Sequence, residues 1–360
     1  MTTQWAAVWE SPSSCWIVAS ATPSTFSVWD RTRYVWRRLA ARWLILVLLV
    51  PGFVPARAEE NATLPRYVVY YNSDTHPATA LIGLPYTHVI LSFVTVGDVS
   101  DDEIKLVIDP RLDNALPEIG ALQADGKKVL LSFGGGAMEA GKYLKVVERV
   151  NVLADALINI VDEHGFDGID IDFEVSAALQ ETPPSDSFDG RKFMIDLTLA
   201  LRKRLGEGPI LSHAPQPPYL DPAWHGGPYI EILKQAGDAI DWIAVQYYNN
   251  PAFDAPVPAD IIGAAHRPKV TSYAGIASGA VGFKWSSDKT LVGLPIYHAD
   301  ASNGHLAPDV VDSEVVCPLV ARYGDAFGGL AGGQFSTGTD DHQYWNTQLA
   351  PPFQGDGCGS

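Results

Sequence analysis

Nine residues, Phe166-Asp167-Gly168-Ile169-Asp170-Ile171-Asp172-Phe173-Glu174, interleave carboxylates with large apolar side chains. Along an extended strand successive side chains point to opposite faces, so Asp170, Asp172 and Glu174 share one face while Ile169, Ile171 and Phe173 share the other. An apolar opposite face marks a strand buried on both sides, which sets the three carboxylates about 7 Å apart along a confined interior. They cannot all ionise there without cost, because repulsion and lost hydration push at least one pKa up. A carboxylic acid that keeps its proton near neutrality is what general-acid catalysis requires, with an anion beside it for developing positive charge. Two other readings of the same residues stand at this point: an oxygen-ligand site for Ca²⁺ or Mg²⁺, and an acidic strand face with a structural role alone.

The elements that must hold this strand can be read from hydrophobic periodicity. Short runs rich in β-branched residues at Tyr67–Asn72, His88–Val94, Lys128–Phe133, Gly168–Glu174, Pro209–Ala214, Trp242–Tyr248, Leu291–Ile296 and Leu330–Phe335 predict eight strands. Amphipathic stretches at Leu144–His164, Arg191–Leu205, Tyr229–Ala236 and Val310–Tyr323 predict helices between them. Eight strands alternating with helices suit an α/β fold of the (β/α)8 TIM-barrel type, in which the apolar strand face meets the helices and the carboxylates face inward. Glu174 then falls at the carboxyl end, where such barrels carry their active sites. No Gly-x-Gly-x-x-Gly follows the first strand, which excludes the usual dinucleotide-binding arrangement. The segment Gln180–Ser187, with Pro183-Pro184, reads as a surface excursion.

With Asp-Gly-x-Asp-x-Asp-x-Glu on a strand after a long helix, the chain resembles glycoside hydrolase family 18, the chitinases and endo-β-N-acetylglucosaminidases. Leu131-Ser132-Phe133-Gly134-Gly135-Gly136 is similar to the family's third-strand motif. Ala214-Pro215-Gln216 and Gln246-Tyr247-Tyr248-Asn249-Asn250 are similar to strands five and six of its class III plant and fungal branch. The resemblance implies that Glu174 is the general acid and later the base, that Asp172 orients and stabilises the substrate's N-acetyl group, and that Asp170 shares a proton with Asp172. It implies that Tyr248 hydrogen-bonds the acetamido group, and that Tyr70, Phe93, Gly135, Gln216, Gln246 and Asn249 contact substrate. It further implies that the acetamide oxygen of the substrate attacks C1, an exception to two-carboxylate glycosidases. The expected partner is an oligo- or polysaccharide containing N-acetylglucosamine, with no metal or cofactor. Two alternatives are N-glycan cores as substrate, and a lectin-like barrel that binds without turnover.

One departure stands out. The family places a Trp on the eighth strand beneath the sugar, and here Gly333 or Gln334 occupies that place. Loss of a stacking ring weakens sugar distortion at that subsite, and Phe335 and Trp345 lie close enough in sequence to substitute. His213 and His298 are further pocket candidates, each with a bystander reading beside it. Trp224 and Trp285 fall in predicted loops, where a ring either stacks on outer sugars or anchors its loop.

The 360-residue chain is 47% hydrophobic and 19% charged, which excludes a disordered or fibrous protein. With 25 Lys+Arg against 42 Asp+Glu its net charge is −17, a poor match to nucleic-acid phosphates. Residues 1–58 carry six Arg and no Lys against Glu10 and Asp30, a charge of +4 that leaves −21 on the other 302 residues. Arginines, the apolar run Leu44–Val50, Pro51-Gly52 and Ala56-Arg57-Ala58 follow the order of a secretory signal cleaved after Ala58. That run is far short of the ~20 residues a membrane span needs, although an uncleaved anchor is the competing reading. Residues 59–360 are then read as one secreted, monomeric barrel domain. Of the three cysteines, Cys317 and Cys358 remain after cleavage and are candidates for one disulfide, and Asn61-Ala62-Thr63 is a glycosylation sequon.

Overall fold

The computed structural model describes residues 65–101, 103–250, 257–335, 339–355 and 358. The reading of residues 1–58 as a signal region and the Asn61 sequon lie outside the described residues. Among the described residues there are nine strands: β1 (Arg66–Tyr71), β2 (His88–Val99), β3 (Ile104–Ile108), β4 (Lys128–Gly134), β5 (Gly168–Asp172), β6 (Ile210–His213), β7 (Trp242–Gln246), β8 (Thr290–Pro295) and β9 (Gly329–Phe335). Eight of them are parallel, and β1 pairs with both β2 and β9, which closes the sheet into a barrel with helices around it. The expected (β/α)8 fold is the one observed.

The strand not anticipated is β3, which pairs antiparallel with the overhanging end of β2 from Val94↔Ile108 to Val99↔Ile104. It lies outside the βα repeat, so the alternation of strands with helices gives no hint of it. The predicted helix at Leu144–His164 is three pieces: Ala140–Leu144, a 3-10 turn Val147–Arg149, and the α-helix Val150–His164. The one at Val310–Tyr323 is likewise divided, with a π-helical stretch Val311–Val316 before Cys317–Tyr323. Pro318 has no N–H to donate and fits only near the start of a helical segment, which accounts for the break there. Cys317 and Cys358 form a disulfide with their Cα atoms 5.5 Å apart.

Strand parity sorts the side chains. Ile169, Ile171 and Phe173 join the large core between barrel and helices, where Phe173 meets the rings of Tyr143, Phe188 and Phe193. Inside the barrel, Val68, Ile90, Leu130, Trp242, Ala244, Leu291 and Ala331 form a separate apolar plug. All five residues of β5 are buried. At the entrance to β5 the backbone of β6 comes so close that a Cβ on Gly168 would sit 2.1 Å from the Ile210 carbonyl oxygen. Glycine is required there by distance, not by dihedral freedom.

Gly168→Ala should therefore destabilise the fold by at least about 3 kcal/mol, since rigid backbone on the neighbouring strand must move. Gly120→Ala, exposed in the helix Ile119–Ala124 with nothing within 4 Å of an added Cβ, should leave stability unchanged or raise it by up to about 1 kcal/mol. Chemical unfolding of the two variants beside the parent checks both expectations.

Candidate active site

The lowest carboxylate, Asp170, is fully buried and receives three hydroxyl donors from three different strands. Ser132 on β4 donates at 2.8 Å, Ser212 on β6 at 2.7 Å and Tyr70 on β1 at 3.1 Å. Parallel register sets this up, because Ser132, Asp170 and Ser212 are direct partners across β4, β5 and β6. One turn of the pleat higher, the Asp172 carboxylate accepts from Gln246 Nε2 at 2.8 Å, and the same amide nitrogen donates to the Ala214 carbonyl at 2.8 Å. Strand β5 ends at Asp172, so Glu174 stands just past its carboxyl end. There it accepts from Gln216 Nε2 at 3.2 Å and from the Gly136 N–H, and shares a hydrogen bond with Asp172.

Burial dominates the electrostatics. It pushes the Asp170 carboxyl up to about 6, with the three hydroxyls holding it back. Asp172 is driven well above the ordinary carboxylate range by burial, then by the charges of Glu174 and Asp170. Glu174 is also raised by burial, while its bonds to Asp172, Gln216 and Gly136 favour its ionised form. The hydrogen bond between them raises Asp172 and lowers Glu174. The two carboxyls therefore titrate as a pair, both displaced toward the protonated form. Burial and the neighbouring carboxylates raise Tyr248 far above 10, so its hydroxyl stays a hydrogen-bond donor.

These groups face a cavity of about 170 Å³ at the carboxyl end of the barrel. Of the residues singled out from sequence, Tyr70, Phe93, Asp172, Glu174, Gln246, Tyr248 and Asn249 line it. Asp170 lies directly beneath Asp172 on the same strand face. Gln216 reaches the site through Glu174. Gly135 supports it from behind, with φ +82° and the Phe93 ring only 2.8 Å from where its Cβ would be. Asn249 directs its Oδ1 away to Ser302, accepting from the backbone N at 2.7 Å and from Oγ at 3.0 Å. Asp300, on the segment after β8, also lines the cavity, and every charged residue lining it is acidic. Nothing in the strand periodicity marks Asp300, because it sits on a connecting loop. Ser132 and Ser212 were likewise legible only as strand residues.

Several candidates lie elsewhere. His213 points out of the barrel into the helix layer, between Thr198 Oγ1 at 3.2 Å and the Tyr229 hydroxyl at 2.8 Å. Burial lowers its pKa to about 3, so it is a neutral core histidine. His298 is exposed and packs on Tyr297. Trp285 is buried with its indole N–H on the Lys289 carbonyl, and Trp224 packs on Tyr219, so both serve as loop anchors. Neither Phe335 nor Trp345 supplies a floor. Phe335 stacks on Tyr71 outside the barrel and Trp345 is fully buried, and neither lines the cavity. Gly333 and Gln334 are themselves the wall, and a Cβ on Gly333 would meet only the Tyr248 hydroxyl at 3.4 Å. Among the described residues no group of three or more His, Cys, Asp or Glu is arranged to hold a metal ion.

A TIM barrel with stacked interior carboxylates at its carboxyl mouth has the groups that general-acid chemistry needs, at the end where such barrels carry their sites. Residues 66–349 match the model of the glycosyl hydrolases family 18, and the chain belongs to that family. The crystal structure of a family 18 chitinase from Pseudoalteromonas aurantia is 31% identical with a TM-score of 0.65, covering 79% of this chain and 99% of that one. Acidic endochitinase SE2 of Beta vulgaris is 30% identical over 258 residues, 66% of this chain and 76% of that one. Chitinase D of Niallia circulans is 28% identical over 210 residues, 53% of this chain. The chain spans 40% of the length of that enzyme and 13–59% of three further chitinases it matches.

A carboxyl whose folded pKa is raised contributes stability that is fully present below its unfolded value and is lost as pH rises through the folded value. For Asp170 the window runs from 3.8 to about 6, worth about 3 kcal/mol. Asp170→Asn removes that burden, so its stability relative to the parent should increase between pH 4 and pH 7. Urea unfolding at both pH values tests the sign; a difference that stays flat or shrinks would rule out a buried, reluctantly ionised Asp170.

Proposed function

We propose that the protein is a secreted, retaining glycosidase that hydrolyses β-1,4 bonds next to N-acetylglucosamine in chitin or chito-oligosaccharides, by substrate-assisted catalysis. The observation that carries this reading is the Asp172–Glu174 pair stacked above Asp170, both carboxyls raised by burial, with Tyr248 on the same cavity, and we read the pair as sharing one proton. Family membership and the printed chitinase names of the relatives support it. The acidic charge also suits a neutral sugar.

In this mechanism the acetamido N–H of the bound sugar donates to Asp172 and so favours its ionised form, which moves the shared proton onto Glu174. Glu174 passes that proton to the glycosidic oxygen as the C1–O bond breaks. The acetamide oxygen closes onto C1, while the Tyr248 hydroxyl holds that oxygen and the Asp172 anion offsets the positive charge of the oxazolinium ion. Glu174, now a carboxylate steadied by Gln216 and the Gly136 N–H, takes a proton from water as it attacks C1, and the anomeric configuration is retained.

Incubation of the protein with N-acetylglucosamine tetramer and pentamer should give shorter oligomers that appear first as the β-anomer. Initial α-anomer would exclude this route. Glu174→Gln should reduce kcat by at least about 10³-fold while oligomer binding persists, and retained turnover would remove Glu174 from the acid role. Binding without cleavage by the parent protein would instead favour a lectin-like function, the reading that the open floor at Gly333 supports. For secretion, mass spectrometry of protein recovered from the medium should place the N-terminus at or beside Glu59, and an intact Met1 would refute a cleaved signal.

A further inference from the structure

The segment from Tyr297 to Gly304 leaves the end of β8 and is fastened at Tyr297, Asp300 and Ser302. The Asp300 Oδ2 accepts from the Tyr297 N–H at 3.0 Å and from the Gln334 N–H of β9 at 3.4 Å. The backbone N–H of Asp300 returns to the Tyr297 carbonyl at 3.0 Å, which closes the turn. Ser302 gives both its N–H and its hydroxyl to Asn249 Oδ1. Gly304, at φ +87°, lies against Tyr248, where an added Cβ would come within 2.7 Å of the tyrosine Cα and Cβ. The segment thus ties the end of β7 to β9, presses on the residue that carries the Tyr248 hydroxyl, and contributes Asp300 to the cavity.

Asn249 has the properties such a tie needs. Its φ is +55°, a left-handed conformation that Asn tolerates better than other non-glycine residues. That backbone turn follows Tyr248 directly and aims the amide oxygen at the facing loop. Both hydrogen bonds fall on this one oxygen, so the chemistry used is acceptance alone.

We infer that Asn249 is a positioning residue: by accepting two hydrogen bonds from Ser302 it holds the 297–304 segment against Tyr248 and sets the place of both Tyr248 and Asp300 in the cavity. This assignment rests on the glycosidase reading for its kinetic consequence, but not for its structural one. It adds an action through a second loop to the substrate contact that family resemblance implies for this cavity-lining residue. The segment's fastening also explains how a site without an eighth-strand aromatic ring keeps a defined wall beside Gly333.

Three variants of the full chain separate the alternatives. Asn249→Gly keeps the left-handed backbone and removes the acceptor, and should lower kcat on chito-oligosaccharides about ten-fold with a smaller change in KM. Asn249→Asp supplies the same acceptor oxygen without an amide N–H and should recover most of that loss. Ser302→Ala should cost about three-fold alone and add little on the Asn249→Gly background, since both remove one interaction. An Asn249→Asp variant as impaired as Asn249→Gly would overturn the inference, because the amide N–H would then be the group in use. Fully multiplicative losses in the double variant would overturn it as well. Amide hydrogen exchange across 297–304 gives an arm independent of turnover. Faster exchange in Asn249→Gly supports the tie even if no oligomer is cleaved, and unchanged exchange overturns it whether or not the enzyme is active.

Discussion

Every other feature of the site follows from placing ionisable carboxyls inside a barrel. Among the described residues Asp170 and Asp172 are two of the few buried charged side chains, and no described lysine or arginine lines the cavity to neutralise them. An isolated carboxylate in such a place is costly unless hydrogen bonds replace its lost hydration. Three hydroxyls converge on Asp170 and two side-chain amides serve Asp172 and Glu174. What they do not compensate is settled by a retained proton. The raised pKa values of the site are thus the residue of incomplete compensation, and a proton left behind is the one that general-acid chemistry would use.

The barrel makes that compensation available because parallel strands present partners at fixed height. Ser132 and Ser212 flank Asp170 in the ladder, while Tyr70 and Gln246 reach in from other strands of the closed sheet. Rigidity comes from the opposite face, where Phe173 is locked among Tyr143, Phe188 and Phe193. The apolar alternates of the same strand therefore hold the geometry that the acidic alternates exploit. An apolar plug below and a loop wall above complete the cavity, the latter fastened through Asn249 and Asp300.

The parts legible in the sequence are those that obey a local period. Alternation at two residues located the acidic strand and its orientation, and the run of βα units gave the barrel. Features that depend on tertiary pairing were not accessible. Strand β3 exists because β2 overshoots the barrel and offers an unpaired edge. The helix around Val311–Tyr323 yields to Pro318, a residue visible in the sequence whose effect on register is not. Ser132 and Ser212 acquire their role only from ladder register. Asp300 carries no periodic signal at all, and nothing in the sequence shows that the oxygen of Asn249, a cavity-lining residue, turns to Ser302. His213 takes the bystander reading offered for it, because parity sends it outward into the helix layer.

On this mechanism one proton remains on the Asp172–Glu174 pair near neutrality in the resting protein. Infrared difference spectroscopy between the parent and Asp172→Asn, recorded at pH 7, observes that proton through the carbonyl stretch of a protonated carboxyl. The account predicts such a band in the parent, isotope-shifted in D₂O, and its loss in the variant. A parent spectrum showing only ionised carboxylates at that pH would contradict it.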